Sequence, residues 1–341
     1  MSDPKPGDYH SKLPKLTMKE PYSKSKFLSK QARGAIDLVR PFTLAAPIIV
    51  SMSIMVASLL FYSRLDPENN PLTIPENWWV TVGQAALTIA LVNAASNALN
   101  QATDVKADRI SKSYRPIPSG AIKAESAQSL AYILYLFALL RAVTINAWFG
   151  TFIFLIMVFT VTYSLPPRMK KYLFINQVWI AIPRGLIGIL AAWSVFGSKY
   201  MFSEPTAWVI GGIATVYLIG GMAAKDITDS EADKATGTHT LINTLGVKKA
   251  AMMCLPFMFF PMFPFVFLFI HAGFIEPYLW PLSLFAFMSI FVFYLMIRSE
   301  ESKTLENVQA WSMMYVQYIF FALSFAVLTI FQELQAIVAP V

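Results

Sequence analysis

Two short runs of the 341-residue chain hold carboxylate side chains at helical spacing. In NALNQATDVKADRISKSYRPIPSG, residues 97–120, Asn100, Asp104 and Asp108 recur every fourth residue, and each such step turns a helical side chain by only about 40°. In KDITDSEADKATG, residues 225–237, Asp226, Asp229 and Asp233 follow at i, i+3 and i+7, again on one face. Carboxylates facing one another repel unless a cation lies between them. The donor atoms are all oxygen, which suits a hard ion such as Mg2+, bound through one or two carboxylates plus phosphate oxygens. Bases stand in the same runs: Arg109, Lys112 and Arg115 in the first and Lys225 in the second. Arg meets phosphate through paired hydrogen bonds and Lys as a point charge. A diphosphate bridged to carboxylates by Mg2+ accounts for both signs of charge. A solvated helix end accounts for a single Asp, but not for a polar face that runs back through Asn97 and Asn93 into apolar sequence.

The elements that must carry these runs belong in a membrane. Hydrophobic residues make up 56% of the chain and charged residues 14%, against about a quarter charged in soluble domains. Nine apolar stretches approach the roughly 20 residues that cross a bilayer as a helix: 42–62, 79–99, 130–143, 147–164, 176–195, 207–224, 250–271, 278–297 and 308–330. The third is short. An N-terminus in the cytoplasm puts the basic arm and every loop after an even-numbered span on that side. Of 27 Lys and Arg, only Arg64, Arg141 and Lys199 then fall on the other side, with Arg184 inside a span. That bias is the positive-inside rule, and it places both acidic runs at the cytoplasmic face. The expected organisation is a basic cytoplasmic arm, 1–38, disordered or lying on the surface, and an all-α membrane domain, 39–341, of nine helices around a central cavity. The arm has no apolar core segment of the kind a cleaved signal carries. Cys254 is the single cysteine, so no intramolecular disulfide forms. No basic module interleaved with aromatics points to nucleic acid.

The two runs, in order and on one side, carry a resemblance to the UbiA family of intramembrane prenyltransferases. The first resembles that family's NxxxDxxxD signature and the second its DxxxD-type motif in a KDxxDxExD form. RPIPSG at 115–120, YSLPP at 163–167 followed by Lys170 and Lys171, and RPFTLAAP at 40–47 are similar to other family segments. The resemblance implies Mg2+-dependent transfer of a polyprenyl group from its diphosphate to a lipid or aromatic acceptor, in a protein integral to the cell membrane. It implies Asn100, Asp104, Asp108, Asp226, Asp229 and Asp233 as metal ligands, with the five aspartates catalytic. Lys112 and Arg115 stand four and seven residues after Asp108, where quinone-pathway members have five and eight. The shorter spacing is similar to members acting on lipid glycerophosphates, homogentisate or chlorophyllide. The surplus of cations favours the anionic acceptor among these, a prenylated glycerol phosphate of ether-lipid synthesis, with geranylgeranyl as the donor group.

Further substrate contacts are expected from Asn97 and from Tyr163 with Lys170 beside the fourth span. Arg184, between Pro183 and Gly185 inside the fifth span, costs at least about 2.5 kcal/mol there if unpaired. It must face either an ion-pair partner or a substrate anion. With 27 Phe, 14 Tyr and 8 Trp, some aromatic faces are available to shelter an allylic cation, but most are packing or lipid-facing groups. His239 reads as a loop residue, and His10 and His271 carry no catalytic pattern. Two rival classes are a transporter, in which the acids hold a carried ion, and a silent membrane scaffold. The first favours charge near the bilayer midplane, whereas these acids gather at span ends.

Overall fold

The computed structural model describes residues 29–65, 74–299 and 308–338. Residues 1–28, 66–73, 300–307 and 339–341 lie outside that set, and with them most of the expected arm, His10 and Lys303. Among the described residues every regular element is a helix, and nine segments are long and apolar enough to cross a membrane. The protein is an integral membrane protein.

The spans begin with α2 (Ala45–Leu65) and α3 (Trp78–Thr103), which runs into the short α4 (Val105–Ser111). Next come α5 (Ala124–Ile145), α6 (Ala147–Ser164), a fifth span in two pieces, α7 (Ile175–Arg184) and α8 (Leu186–Gly197), and α9 (Thr206–Gly221). The sixth span ends in a 3-10 turn, Met222–Ile227, followed by α10 (Ser230–Ala235) and α11 (Leu241–Leu245). The seventh span is α12 (Val247–Phe259) with α13 (Pro264–His271), the eighth ends in α14 (Phe285–Ile297), and the ninth is α15 (Gln309–Val338). The third span, short by hydropathy, is a full 22 residues, because its helix extends back through polar Glu125 and Gln128.

Each span touches the next, and α15 packs against α2, so the nine close into a ring. Small residues let the backbones approach closely. Ala127, Ala131, Ala138 and Ala142 of α5 are fully buried beside the α3 alanines Ala85, Ala95 and Ala98. The opposite stripe of α5 exposes Ile133, Leu136, Phe137 and Leu140. Such a row is stable against lipid, where apolar side chains meet an apolar solvent.

Ahead of the first span lies a helix that the sequence reading assigned to the arm. The boundary expected after residue 38 falls inside α1 (Lys30–Val39), which Ser29 caps through a hydrogen bond from the Ala32 N–H. Leu38 is fully buried, and α1 rests on α3. Three polar residues of α3 at four-residue intervals fasten it. Asn93 donates to the Thr43 carbonyl at 3.2 Å, Asn97 to the Val39 carbonyl and to Thr43 Oγ1 at 2.9 Å each, and Gln101 to the Leu38 carbonyl at 2.7 Å.

Candidate active site

The first acidic run sits where the second span stops. α3 ends at Thr103, and Asp104 stands in the break before α4. Its carboxylate accepts from Arg168 Nη2 at 2.8 Å and pairs with Lys170. Burial alone pushes this carboxyl up, but Lys170 and Arg168 outweigh it and hold it below the usual carboxylate range. One turn on, buried Asp108 accepts from Arg115 Nη1 at 2.8 and 3.0 Å. The Asn100 carbonyl accepts the Asp104 N–H at 3.0 Å, and the Asn100 side chain lines the cavity below.

The second run is held by the turn that closes the sixth span. Asp226, almost fully buried, accepts from Lys225 Nζ at 2.5 Å on one oxygen and from Asn176 Nδ2 at 3.1 Å on the other. Lys225 also reaches Tyr163 Oη at 3.3 Å. Asp229 accepts from Lys112 Nζ at 2.5 Å, a bond that spans 117 residues and joins the second run to the first. Behind it α10 packs against α4. Burial, and the charges of Asp226 and Asp229, push the Asp233 carboxyl up to about 8.

Negative charge is therefore in excess on the Asp233 side, while the other four aspartates are already neutralised by Lys or Arg. Among the described residues no three acidic, His or Cys side chains converge on one point. The two runs are drawn together by interleaved bases rather than around a preformed ligand cage. The donor set nevertheless fits Mg2+: it is all oxygen, and the Asp233 carboxyl, raised by burial and by the charges of Asp226 and Asp229, stands where a cation would favour its ionised form.

Beneath the charges lies a cavity of about 800 Å3. Its head is lined by both runs, and Phe159, Trp179, Arg184, Trp311, Tyr315 and Tyr318 also line it. Asn97, Asn100, Lys112, Arg115, Tyr163, Lys170 and Lys225 all line it. Arg109 does not: it is exposed, because the residue after inward-facing Asp108 is turned by about 100° on the helix. Asn97 borders the cavity with its amide committed to α1. His239 is an exposed loop residue whose N–H donates to the Lys171 carbonyl.

The candidate residues of the sequence do not include several that line the cavity, among them Arg168, Asn176, Arg40 and the aromatic side chains Trp179, Trp311, Tyr315 and Tyr318. Arg168, whose sequence position marks only a charge at a span end, lies directly after YSLPP and grips Asp104. Asn176 holds Asp226, and its signal in the sequence is an amide at the opening of the fifth span. Arg40, in the left-handed region at φ 52°, is placed in the cavity wall by the turn that ends α1.

Two acidic helix ends meeting above a membrane-embedded cavity agree with the comparison of the sequence with protein families: a profile of the UbiA prenyltransferase family matches residues 73–316. The chain belongs to the UbiA family. Among UbiA-family relatives, digeranylgeranylglyceryl phosphate synthase of Methanosphaera stadtmanae is 29% identical over 177 residues, 52% of this chain and 61% of that protein. The synthase of the same name from Methanobrevibacter smithii is 27% identical over 244 residues, 70% of this chain and 85% of that one. Probable homogentisate phytyltransferase 2 of Oryza sativa is 27% identical over 237 residues, 67% of this chain and 60% of the other. The chain spans about three fifths of the length of the first of these relatives. A UbiA homologue from Archaeoglobus fulgidus, solved with DMAPP and Mg2+, superposes with a TM-score of 0.62 at 16% identity, over 89% of this chain and 99% of that one. A digeranylgeranylglyceryl phosphate synthase structure gives 0.58 at 19% identity, over 88% and 98%. At such identities the likeness is one of fold.

Proposed function

We propose that this protein transfers a polyprenyl group, with geranylgeranyl the best fit, from its diphosphate to a membrane-associated acceptor, a prenylated glycerol phosphate of ether-lipid synthesis. The observation that carries this reading is the meeting of the two acidic runs through Lys112 and Asp229 at the head of the cavity. A charged head and an apolar tail need such a two-part container.

In this reading Asn100, Asp104, Asp108, Asp226, Asp229 and Asp233 hold Mg2+, directly or through water. Bound there, Mg2+ supplies positive charge against the leaving diphosphate. Lys112, Arg115, Lys170 and Lys225, released from their carboxylates, turn to phosphate oxygens, with Tyr163 beside the last two. The allylic C–O bond breaks and its electron pair leaves with the diphosphate. The acceptor's nucleophilic atom bonds to the prenyl carbon, and its proton passes to solvent or to the departing diphosphate. Charges fixed before the reaction begins stabilise the separated ions without reorganising. In this reading the membrane is the cell membrane, and the bias of Lys and Arg supports an N-terminus and active site on its cytoplasmic side.

An aromatic acceptor of the homogentisate type is the second reading, favoured by the rice relative and by the close Trp311–Tyr315 pair, 4.4 Å between ring centroids. Incubating purified protein with geranylgeranyl diphosphate, Mg2+ and each acceptor separates the two. Diphosphate release with a prenylated glycerol phosphate is expected; product only with the aromatic acid replaces the lipid acceptor. No diphosphate release with any acceptor overturns prenyl transfer itself.

A further inference from the structure

The fifth span is two helices. α7 stops at Arg184 and α8 starts at Leu186, with Pro183 and Gly185 at the break. Proline has no N–H, so the carbonyl one turn earlier loses its helical donor. The break is held on both sides by hydroxyls from other spans. Tyr318 Oη donates to the Arg184 carbonyl at 2.7 Å, and the Leu186 N–H donates to Thr215 Oγ1 at 2.7 Å. Gly185 is required here: a Cβ would lie 2.3 Å from Thr215 Oγ1. Non-helical backbone at membrane depth is tolerated where it borders a cavity, and this break does.

The break sets Arg184 in the cavity wall, about 14 Å along the fifth span from Ile175. Lys112, Arg115, Arg168, Lys170 and Lys225 each pair with a carboxylate at the cavity head. Arg184 pairs with none of the described acids; the charged or titratable groups that act on it are Tyr163, Arg40 and Tyr318. Its guanidinium instead lies over the Tyr315 ring, 5.6 Å from the centroid, and Tyr315 in turn meets Trp311. The ion pair offered as one explanation of this buried charge is absent among the described residues. A guanidinium at this depth with a ring face beneath it and none of the described acids paired to it is a site for an anion that arrives from outside.

We propose that Arg184 seats the acid group of the prenyl acceptor, a carboxylate or a phosphate monoester, with the acceptor's body against Tyr315 and Trp311. This rests on the prenyl-transfer reading. Asn176, which holds Asp226, and Arg184 lie on the same cavity-lining face of α7, eight residues and so about 12 Å apart along its axis. The diphosphate at the acidic runs and the acceptor's own anion at Arg184 then bracket the carbon being transferred. Each anion has a separate counter-charge. A neutral acceptor would leave the guanidinium without a partner, so the site selects for acceptors that carry an acid group.

The test compares wild type, Arg184→Met and Arg184→Lys, each checked for a monodisperse, helical state in detergent. The acceptors are a geranylgeranylated glycerol phosphate and homogentisate, with their dephosphorylated and methyl-ester counterparts as neutral forms. Donor binding is followed separately with geranylgeranyl thiodiphosphate and Mg2+. Arg184→Met should raise the KM of the acid acceptor by about tenfold or more, with kcat changed far less and donor affinity unchanged, and Arg184→Lys should recover part of the loss. Wild type should handle the neutral form as poorly as Arg184→Met handles the acid. Whichever acid form depends on Arg184 identifies phosphate or carboxylate as the group bound. Equal use of neutral and acid forms by wild type overturns the proposal, as does weakened donor binding with an unchanged acceptor KM. If Arg184→Met does not fold, the neutral-acceptor comparison on wild type decides. If wild type releases no diphosphate at all, the prenyl-transfer reading has failed; equilibrium binding of each acid acceptor and its neutral form to wild type and Arg184→Lys then decides the Arg184 site by itself.

Discussion

Lys112 Nζ lies 2.5 Å from Asp229 Oδ1, so a base from the loop after the second span neutralises an acid from the loop after the sixth. Lys112 is almost fully buried, and removing one partner of such a pair leaves the other without compensation. Lys112→Ala and Asp229→Ala should each lower kcat/KM by about a hundredfold, and the double variant should lose little more than either single one. Additive losses in that cycle would show that the two residues act separately.

Asp104 and Asp226 are the anchor points of the two runs, each gripped by two partners. Asp104→Ala or Asp226→Ala should abolish turnover while the protein remains helical and monodisperse in detergent. Near-normal diphosphate release by either variant would remove the metal role from that run.

Asp233 sets a pH dependence for Mg2+. With its carboxyl pushed up to about 8, the group is protonated at neutral pH, so a cation must displace a proton to bind. Mg2+ affinity should therefore rise with pH, approaching about tenfold per unit below 8, and level off above it. Asp233→Asn should flatten that slope. Calorimetric Mg2+ titration at several pH values reads both, and a slope that survives in the variant would place the proton elsewhere.

Asn97 supplies two hydrogen bonds to the segment ahead of the first span, one to the Val39 carbonyl at the end of α1 and one to Thr43 Oγ1 in the turn after it. Asn97→Ala leaves the Val39 carbonyl without that donor, at a cost of about 1–3 kcal/mol. Limited proteolysis should then cut within residues 30–40 while the remaining spans stay resistant. Unchanged protection of that segment would mean that Leu38 packing alone retains the helix.

Both acidic runs were legible as clusters because close spacing is local, but neither lies on one continuous helix: Asp104 stands in the break between α3 and α4, and Asp226 in the 3-10 turn ahead of α10. The distribution of Lys and Arg supplied an expectation for the side of the membrane. What could not be read was pairing at a distance. Lys112 sits 117 residues from Asp229, and nothing in the spacing of either run selects that lysine over Arg109, which points away. The third span was underestimated because hydropathy registers apolar length, while the helix continues through Glu125. The α1 helix was missed for the converse reason: ten residues, KQARGAIDLV, are too few and too polar to be stable alone and need the polar row on α3.

The ring of spans closes where α15 meets α2. Eight reversals of direction separate these two helices, so they run parallel, and no short connector bridges them. The other pairs around the ring are consecutive in the chain, while α2 also packs across it against α8, and α3 against α6. The bundle is thus a strip rolled into a tube, its seam held by packing and not by a connector, and α2 must part from α8 as well as from α15 before it can unfurl.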